Sequence, residues 1–167
     1  MVVGNAANSG SFEVTTPSDQ EIRLTRLFDA PRQLVFEAMT KPEHVKRWWG
    51  RLGDGYSVPV CEIDLRPGGA WRFVNRHPKG EAAFYGEYRE ITPPSRLVFT
   101  EIFEEFSDTV SVVTTEFTDE GGKTRMTATV SYPSLEVRDM VLATGMARGA
   151  ALSYDQLENL VTELQRS

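Results

Sequence analysis

Glu101 is the side chain in this sequence whose position best suits chemistry. It lies in an alternating run with Leu97, Phe99 and Phe103, so its carboxylate shares one face of a predicted strand with apolar groups. Inside an apolar cavity the pKa of such a carboxylate rises, which suits it to proton transfer or to hydrogen bonding with a ligand. The alternative is that a β-bulge turns Glu101 toward solvent.

The histidines and the cysteine predict neither a metal site nor a nucleophile. His44 and His77 are the only histidines, and neither is spaced as a metal ligand with the other or with Cys61. Cys61 lies in a predicted strand without a nearby histidine, which is typical of a small buried thiol. The pairs Gly68-Gly69 and Gly121-Gly122 each join one predicted strand to the next, so no helix N-terminus follows them to bind phosphate. We therefore predict no metal, no cofactor and no catalytic residue.

Large aromatic side chains on the predicted strands face a helix with small side chains. Between Gly145 and Ala151 the final predicted helix is rich in glycine and alanine. This small volume opposite large rings leaves room for a ligand, whereas ordinary core packing is the alternative for each ring. The predicted ligand-binding residues are Trp48, Trp71, Phe73, Phe84, Tyr88, Phe99, Glu101, Phe117, Met126, Leu142, Met146 and Ala150.

Trp48 and Trp49 end a short predicted helix beside the glycine-rich segment 50–55, where they could form a lid over the cavity mouth. Neighbouring residues on a helix point about 100° apart, so one ring can be buried while the other faces the entrance. We predict that Trp48 is the ring nearer the cavity.

One strand and a first short helix are predicted at the start of the ordered chain. Alternation over residues 22–28 predicts the strand. Pro31 suits the first turn of a helix that Asp29 or Ala30 caps. The preceding residues 1–19 are small, polar and aperiodic, so we expect them to form a flexible leader before a single domain at residues 20–167.

A second helix, a run of strands and a last helix follow. Thr40 and Glu43 match a capping box at the start of the second helix. Six strands separated by short turns are predicted between Tyr56 and Tyr132, and Ser134 should cap a final helix of roughly thirty residues. Short connections make consecutive strands antiparallel neighbours. The result is an α+β fold, in which a curved seven-stranded antiparallel sheet wraps a long C-terminal helix.

Composition excludes several classes of partner. The formal net charge of −6 gives the chain no general attraction to nucleic acid or anionic lipid. No run approaches the ~20 apolar residues that span a bilayer, so we expect no membrane insertion. The lone cysteine and the lack of an export-type start predict a cytoplasmic protein.

Several strings resemble one known family, the activator of heat-shock protein 90 ATPase homologues within the START-like, or SRPBCC, helix-grip superfamily. The resemblance covers about Glu21 to Leu164. The matching strings are Phe28-Asp-Ala-Pro-Arg32, Lys41-Pro-Glu-His44, Trp48-Trp49-Gly50, Glu62-Ile-Asp-Leu-Arg-Pro-Gly-Gly69, Trp71-Arg72-Phe73, Gly86-Glu-Tyr-Arg-Glu90, Gly121-Gly-Lys-Thr-Arg125, and Gly145-Met146 with Gly149.

The resemblance implies a deep apolar cavity between the sheet and the long helix. The superfamily includes lipid carriers, plant ligand-binding proteins and polyketide cyclases, so the fold leaves several functions open. Ala150 stands where many relatives carry a bulky aromatic residue, which could enlarge the cavity. Eukaryotic co-chaperones of the family join this module to a separate N-terminal domain, whereas this chain has only the predicted leader there, which argues against a chaperone partner.

These observations favour binding of a small hydrophobic or amphipathic molecule, such as a lipid, an aromatic metabolite or a polyketide-like compound. One alternative is an enzyme of the cyclase or hydrolase type that uses the same cavity. Another is a co-chaperone-like protein-interaction module. An exposed edge strand could pair two copies into a homodimer.

Overall fold

A computed structural model of the chain describes residues 2–4 and 11–166. Within these residues nine strands form one sheet: β1 Val2–Gly4, β2 Glu13–Thr15, β3 Glu21–Phe28, β4 Ser57–Ile63, β5 Ala70–His77, β6 Gly80–Thr92, β7 Arg96–Phe103, β8 Val110–Glu120 and β9 Lys123–Ser131. The α-helices are α1 Arg32–Thr40, α2 Pro42–Trp48, α3 Leu135–Ala143 and α4 Met146–Arg166, and a short 3-10 helix spans Glu104–Phe106.

The sheet is antiparallel throughout, in the order β1-β2-β3-β9-β8-β7-β6-β5-β4. Strands β4 to β9 form the predicted six-stranded meander, and β3 then pairs with β9 from Glu21↔Ser131 to Phe28↔Thr124. The predicted α+β, helix-grip fold is confirmed. The predicted count of seven strands is wrong, because β1 and β2 extend the sheet beyond β3.

The segment predicted as a flexible leader contributes to the core where it is described. Phe12 and Val14 are fully buried, and β2 pairs with β3 through Val14↔Leu24. The Phe12 ring also meets that of Tyr154 edge to face at 5.8 Å. Two apolar residues in alternation are enough for a short strand once the exposed edge of β3 supplies its hydrogen-bond partners. Residue 1 and residues 5–10 of the predicted leader lie outside the described residues.

The predicted caps of the two short helices are wrong. Pro31, not Asp29 or Ala30, occupies the N-cap of α1, and the N-cap of α2 is Lys41. Thr40 cannot cap α2 because it is the last residue of α1, where its hydroxyl donates to the Phe36 carbonyl at 2.8 Å.

The C-terminal helix is two helices instead of one. Ser134 caps α3 as predicted, since its hydroxyl accepts from the Val137 amide at 3.2 Å. The helix is interrupted at Gly145, which has a φ of +82°, a left-handed conformation that ends α-helices and favours glycine. No side chain of α3 is fully buried, whereas α4 buries a continuous face. None of the described helices is both long and apolar enough to cross a membrane.

Polar contacts position α4 against the sheet. The Arg26 side chain, 7% exposed, reaches from β3 to Asp155 at 2.8 Å and Glu158 at 3.8 Å. At the other side of the helix the Gly50 amide donates to the Ser153 hydroxyl at 3.1 Å, and Asn75 donates to the Gly50 carbonyl at 2.9 Å. Strand β3 and the loop after α2 thus fix which face of α4 meets the sheet.

The burial of Phe12 gives a direct test of the N-terminal packing. Phe12→Ala should lower the free energy of unfolding by about 3 kcal/mol, because it empties a fully enclosed ring site. Phe106→Ala is the matched control: that ring is 52% exposed, and its removal should cost less than about 1 kcal/mol. Equal stabilities of Phe12→Ala and the unsubstituted protein in urea titrations would show that the segment is a flexible leader after all.

Candidate functional site

A cavity of about 220 Å³ lies between the inner face of the sheet and the helices. The strands and the residue after β9 supply mainly apolar and aromatic side chains: Leu24, Trp71, Phe73, Tyr88, Leu97, Phe99, Glu101, Val113, Thr115, Ala128, Val130 and Tyr132. The helical side is formed by Met39, Val45, Trp48, Trp49, Met146, Ala150, Ser153 and Tyr154. For scale, an engineered apolar cavity of about 150 Å³ binds benzene.

The cavity exists because the middle of α4 is small. Ala150 and Ser153 face it from the helix, one turn apart, and Ala151 beside them is fully buried. Side chains of this size cannot reach the opposite wall of the sheet. Since neighbouring bulky rings are already packed against one another, the missing volume stays as a cavity.

The aromatic wall of the cavity is held by contacts within the sheet. Trp71 packs against Phe73 at 4.8 Å and edge to face against Phe99 at 5.7 Å between ring centroids. Its indole donates to the Thr100 carbonyl at 3.1 Å. Gly86 makes this arrangement possible, because a Cβ there would collide with the Thr100 carbonyl and lie 2.8 Å from the indole nitrogen. The wall is therefore rigid before any ligand arrives.

Trp48 and Trp49 both line the cavity. Trp48 is 3% exposed and its indole donates to the Ala38 carbonyl at 2.9 Å. Trp49 is half-buried and meets Phe73 at 5.1 Å and Phe84 at 5.2 Å. The predicted difference between the two rings is seen in their exposure, since Trp48 is buried and Trp49 is half-buried, although both line the cavity.

One part of the cavity is polar. Burial raises the pKa of the Glu101 carboxyl to about 7. Burial, and after it the charge of Glu101, raises the pKa of Tyr132 and of Tyr154, while Arg26 acts in the opposite direction on Tyr154. Both tyrosines line the same cavity as the carboxyl. The tyrosines are each 8% exposed.

The polar groups of this region have no internal partners. Among the described residues, no hydrogen bond or salt bridge reaches the Glu101 carboxyl or the hydroxyls of Tyr88, Tyr132 and Tyr154. Buried polar groups are normally hydrogen-bonded in folded proteins. Groups that line a cavity without a protein partner are available to water or to a ligand.

Of the twelve predicted ligand-binding residues, eight line the cavity: Trp48, Trp71, Phe73, Tyr88, Phe99, Glu101, Met146 and Ala150. Their role in binding stays a prediction. Glu101 points inward, so the alternative of a bulge that exposes it is wrong.

The other four predicted residues lie elsewhere. Phe84 stacks on Phe103 at 4.9 Å beyond Trp49, and Leu142 belongs to α3. Phe117 and Met126 are register partners on β8 and β9 and are buried in the core below α1, where Phe117 meets Phe36 at 5.5 Å. Alternation gives the correct face for the strand residues, but not their position along the sheet.

Sequence reasoning missed Tyr132, Tyr154 and Trp49 as lining residues. Tyr154 follows Met146 and Ala150 at successive intervals of four, which puts all three on one face of α4. Tyr132 alternates with Ala128 and Val130, which also line the cavity. These signals were present in the sequence. The further lining residues missed were Leu24, Met39, Val45, Leu97, Val113, Thr115, Ala128, Val130 and Ser153.

Comparison with known proteins agrees with the resemblance found in the sequence. The family model for "Activator of Hsp90 ATPase homolog 1-like protein" matches residues 29–162. No functionally curated protein matches the chain.

Solved structures of similar proteins come from several bacteria. A Rhodobacter sphaeroides protein superimposes with a TM-score of 0.84 at 24% identity, over 92% of this chain and 99% of that one. A Nitrosomonas europaea protein superimposes with a TM-score of 0.78 at 25% identity, over 91% of this chain and 100% of that one. A Mycobacterium smegmatis protein superimposes with a TM-score of 0.77 at 28% identity, over 88% of this chain and 96% of that one. These matches agree with the fold and name no ligand.

The raised pKa of Glu101 predicts a specific pH dependence of stability. The carboxyl has a pKa of about 7 when folded, against an ordinary value of 4.5, so the folded state binds more protons between these values. The contribution of Glu101 to the free energy of unfolding therefore falls as the pH rises from about 4.5 to 7 and is constant above. The free energy of unfolding of Glu101→Gln, measured relative to that of the unsubstituted protein, should therefore be about 3 kcal/mol higher at pH 8 than at pH 4.5.

Urea titrations of both proteins across this pH range measure the difference. Glu105→Gln, at an exposed carboxylate, is the control for the chemical change. A stability difference between Glu101→Gln and the unsubstituted protein that does not vary with pH would contradict the burial of an unpaired Glu101 carboxyl.

Proposed function

We propose that this chain, which belongs to the Activator of Hsp90 ATPase homolog 1-like family, binds a small hydrophobic or amphipathic molecule in the cavity between its sheet and α4. The observation that carries the proposal is the cavity of about 220 Å³ with an aromatic wall and unpartnered polar groups in one region. Ligand sites are typically concave and mostly apolar, with a few polar groups that fix orientation.

The expected energetics suit a compact ligand. A molecule that loses ~150 Å² of apolar surface gains on the order of 4 kcal/mol from burial before the cost of association. Micromolar binding therefore requires cavity walls that are already ordered before the ligand arrives. Trp48 and Trp71 meet that requirement, since the indole of each is already hydrogen-bonded to a backbone carbonyl.

The polar groups favour an amphipathic molecule over a purely apolar one. A hydrocarbon in the cavity would leave the Glu101 carboxyl and the hydroxyls of Tyr132 and Tyr154 without water or another partner, at a cost of about 1–3 kcal/mol for each group. A ligand with one polar end can hydrogen-bond to these groups while its apolar body contacts the rings. We therefore expect a molecule with a single polar end.

Acid–base catalysis in the same cavity is a second candidate function. A Glu101 pKa of about 7 suits a carboxyl that takes up and releases protons at neutral pH. Catalytic bases are usually oriented by a hydrogen-bonded neighbour, however, and none of the described residues makes such a bond to the Glu101 carboxyl. Binding accounts for the same features with fewer requirements, so it is the function we favour.

Filling the cavity should abolish binding. Ala150→Phe places a ring in the empty volume, and Ala143→Phe, on the exposed end of α3, is the matched control. In a library of one- and two-ring aromatic and short-chain amphipathic compounds, bound compounds at about one hundred times their Kd should raise the Tm by about 5–10 °C. The shift should disappear in Ala150→Phe and persist in Ala143→Phe.

Two results would contradict the proposal. One is the absence of any thermal shift for the unsubstituted protein across the library. The other is a shift that survives in Ala150→Phe when circular dichroism shows that this variant is folded, because the compound would then bind outside the cavity.

A further inference from the structure

The cavity has one ionisable acid and no cation in its lining. Glu101 is the only carboxylate among the lining residues, and no lysine, arginine or histidine in the described chain contributes to the lining. Tyr132 and Tyr154 are the titratable groups whose pKa values respond to Glu101. Neither can neutralise a carboxylate, because a tyrosine is uncharged when protonated.

Arg26, a cation that influences the pKa of Tyr154, is already paired. Arg26 lowers the pKa of Tyr154, but its guanidinium contacts Asp155 at 2.8 Å and Glu158 at 3.8 Å beneath α4. Arg26 is not part of the cavity lining. An ionised Glu101 therefore has no countercharge within the site.

The rest of the lining favours positive charge. Besides Tyr132 and Tyr154, six aromatic rings line the cavity: Trp48, Trp49, Trp71, Phe73, Tyr88 and Phe99. The faces of such rings carry negative electrostatic potential and attract cations, with tryptophan the strongest. A carboxylate combined with several aromatic faces is suited to an organic ammonium group.

We propose that the ligand is a compact aromatic or alkyl amine. Its ammonium group pairs with Glu101 and donates hydrogen bonds to the hydroxyl oxygens of Tyr132 and Tyr154, and its apolar body packs on the aromatic wall. This inference rests on the function proposed above. An anionic ligand would bring like charge to a buried carboxylate, and a neutral ligand would leave the carboxylate without a countercharge. An ammonium ligand supplies the positive charge that the lining lacks and donates hydrogen bonds to the carboxylate.

Proton release should accompany binding of the amine at low pH. In the empty cavity Glu101 is protonated below its pKa of about 7, whereas pairing with ammonium requires the ionised form. The affinity for an ammonium ligand should therefore fall about tenfold for each pH unit below 7 and stay constant above 7, as long as the amine, with a pKa near 10, remains charged.

Three probes of similar size separate the effect of charge from that of shape. Phenethylamine, phenethyl alcohol and phenylacetate share a phenyl ring and differ in a cationic, neutral or anionic end. At pH 8, isothermal titration calorimetry should give phenethylamine a Kd at least tenfold lower than that of the alcohol, with phenylacetate the weakest. Between pH 8 and pH 6 the amine should weaken about tenfold, and the alcohol less than threefold.

Glu101→Gln isolates the role of the carboxylate. It should bring the affinity for phenethylamine to within threefold of that for the alcohol and remove the pH dependence of amine binding. Glu105→Gln removes the same charge from an exposed position and should change neither the affinity for phenethylamine nor the pH dependence of its binding. The pH profile of the unsubstituted protein needs no substitution and tests the inference even if Glu101→Gln does not fold.

The outcomes distinguish the inference from the function on which it rests. Equal binding of amine and alcohol, lost in both cases on Ala150→Phe, would overturn the ammonium inference and leave the proposed binding function intact. Tighter binding of phenylacetate than of phenethylamine would also overturn the inference. If none of the probes binds at millimolar concentration, while other library compounds do so in the cavity, the ligand class is wrong; if no compound binds, both proposals fail.

Discussion

The ion pair between Arg26 and Asp155 determines how the cavity is built. Arg26 is almost fully buried on β3, so it needs a partner, and Asp155 at 2.8 Å provides one from α4. Together with the hydrogen bond from the Gly50 amide to the Ser153 hydroxyl, this contact fixes which face of the helix meets the sheet. With Asp155 turned toward β3, Ala150 and Tyr154 face the centre of the sheet. The small residue then creates the cavity and the large one supplies a polar group to it.

The cavity combines two environments that proteins usually keep apart. Hydrogen bonds of Trp48 and Trp71 to backbone carbonyls hold its aromatic wall in place, so these side chains lose little conformational freedom when a ligand binds. Its polar part holds a carboxyl whose burial raises the pKa to about 7, with two tyrosines nearby. An unpaired polar cluster destabilises a fold, and such clusters persist chiefly where they serve a function. This contrast is what indicates binding of an amphipathic molecule.

Much of the fold could be predicted from alternation and turns, because strand period and short connections are local properties. The phase of Glu101 with Leu97 and Phe99 indicated an inward face but left a bulge open, and the regular pairing of Glu101 with Ser111 excludes the bulge. Other features depend on tertiary contacts that no local pattern encodes. Residue 12 joins the core only because β3 offers a free edge, and Phe117 shares its face with cavity residues but lies below α1. Trp49 lines the cavity through contacts with Phe73 and Phe84, which are distant from it in sequence.

The methionine methyl groups offer the most direct test of where a ligand binds. Met39 and Met146 line the cavity, whereas Met126 is buried in the core away from it and Met140 is 47% exposed. In carbon-13 methyl spectra titrated with a library compound of small, amphipathic type, such as phenethyl alcohol, the resonances of Met39 and Met146 should shift while those of Met126 and Met140 stay. No shift at Met39 or Met146 at saturation, or a shift confined to Met140, would contradict binding in the cavity.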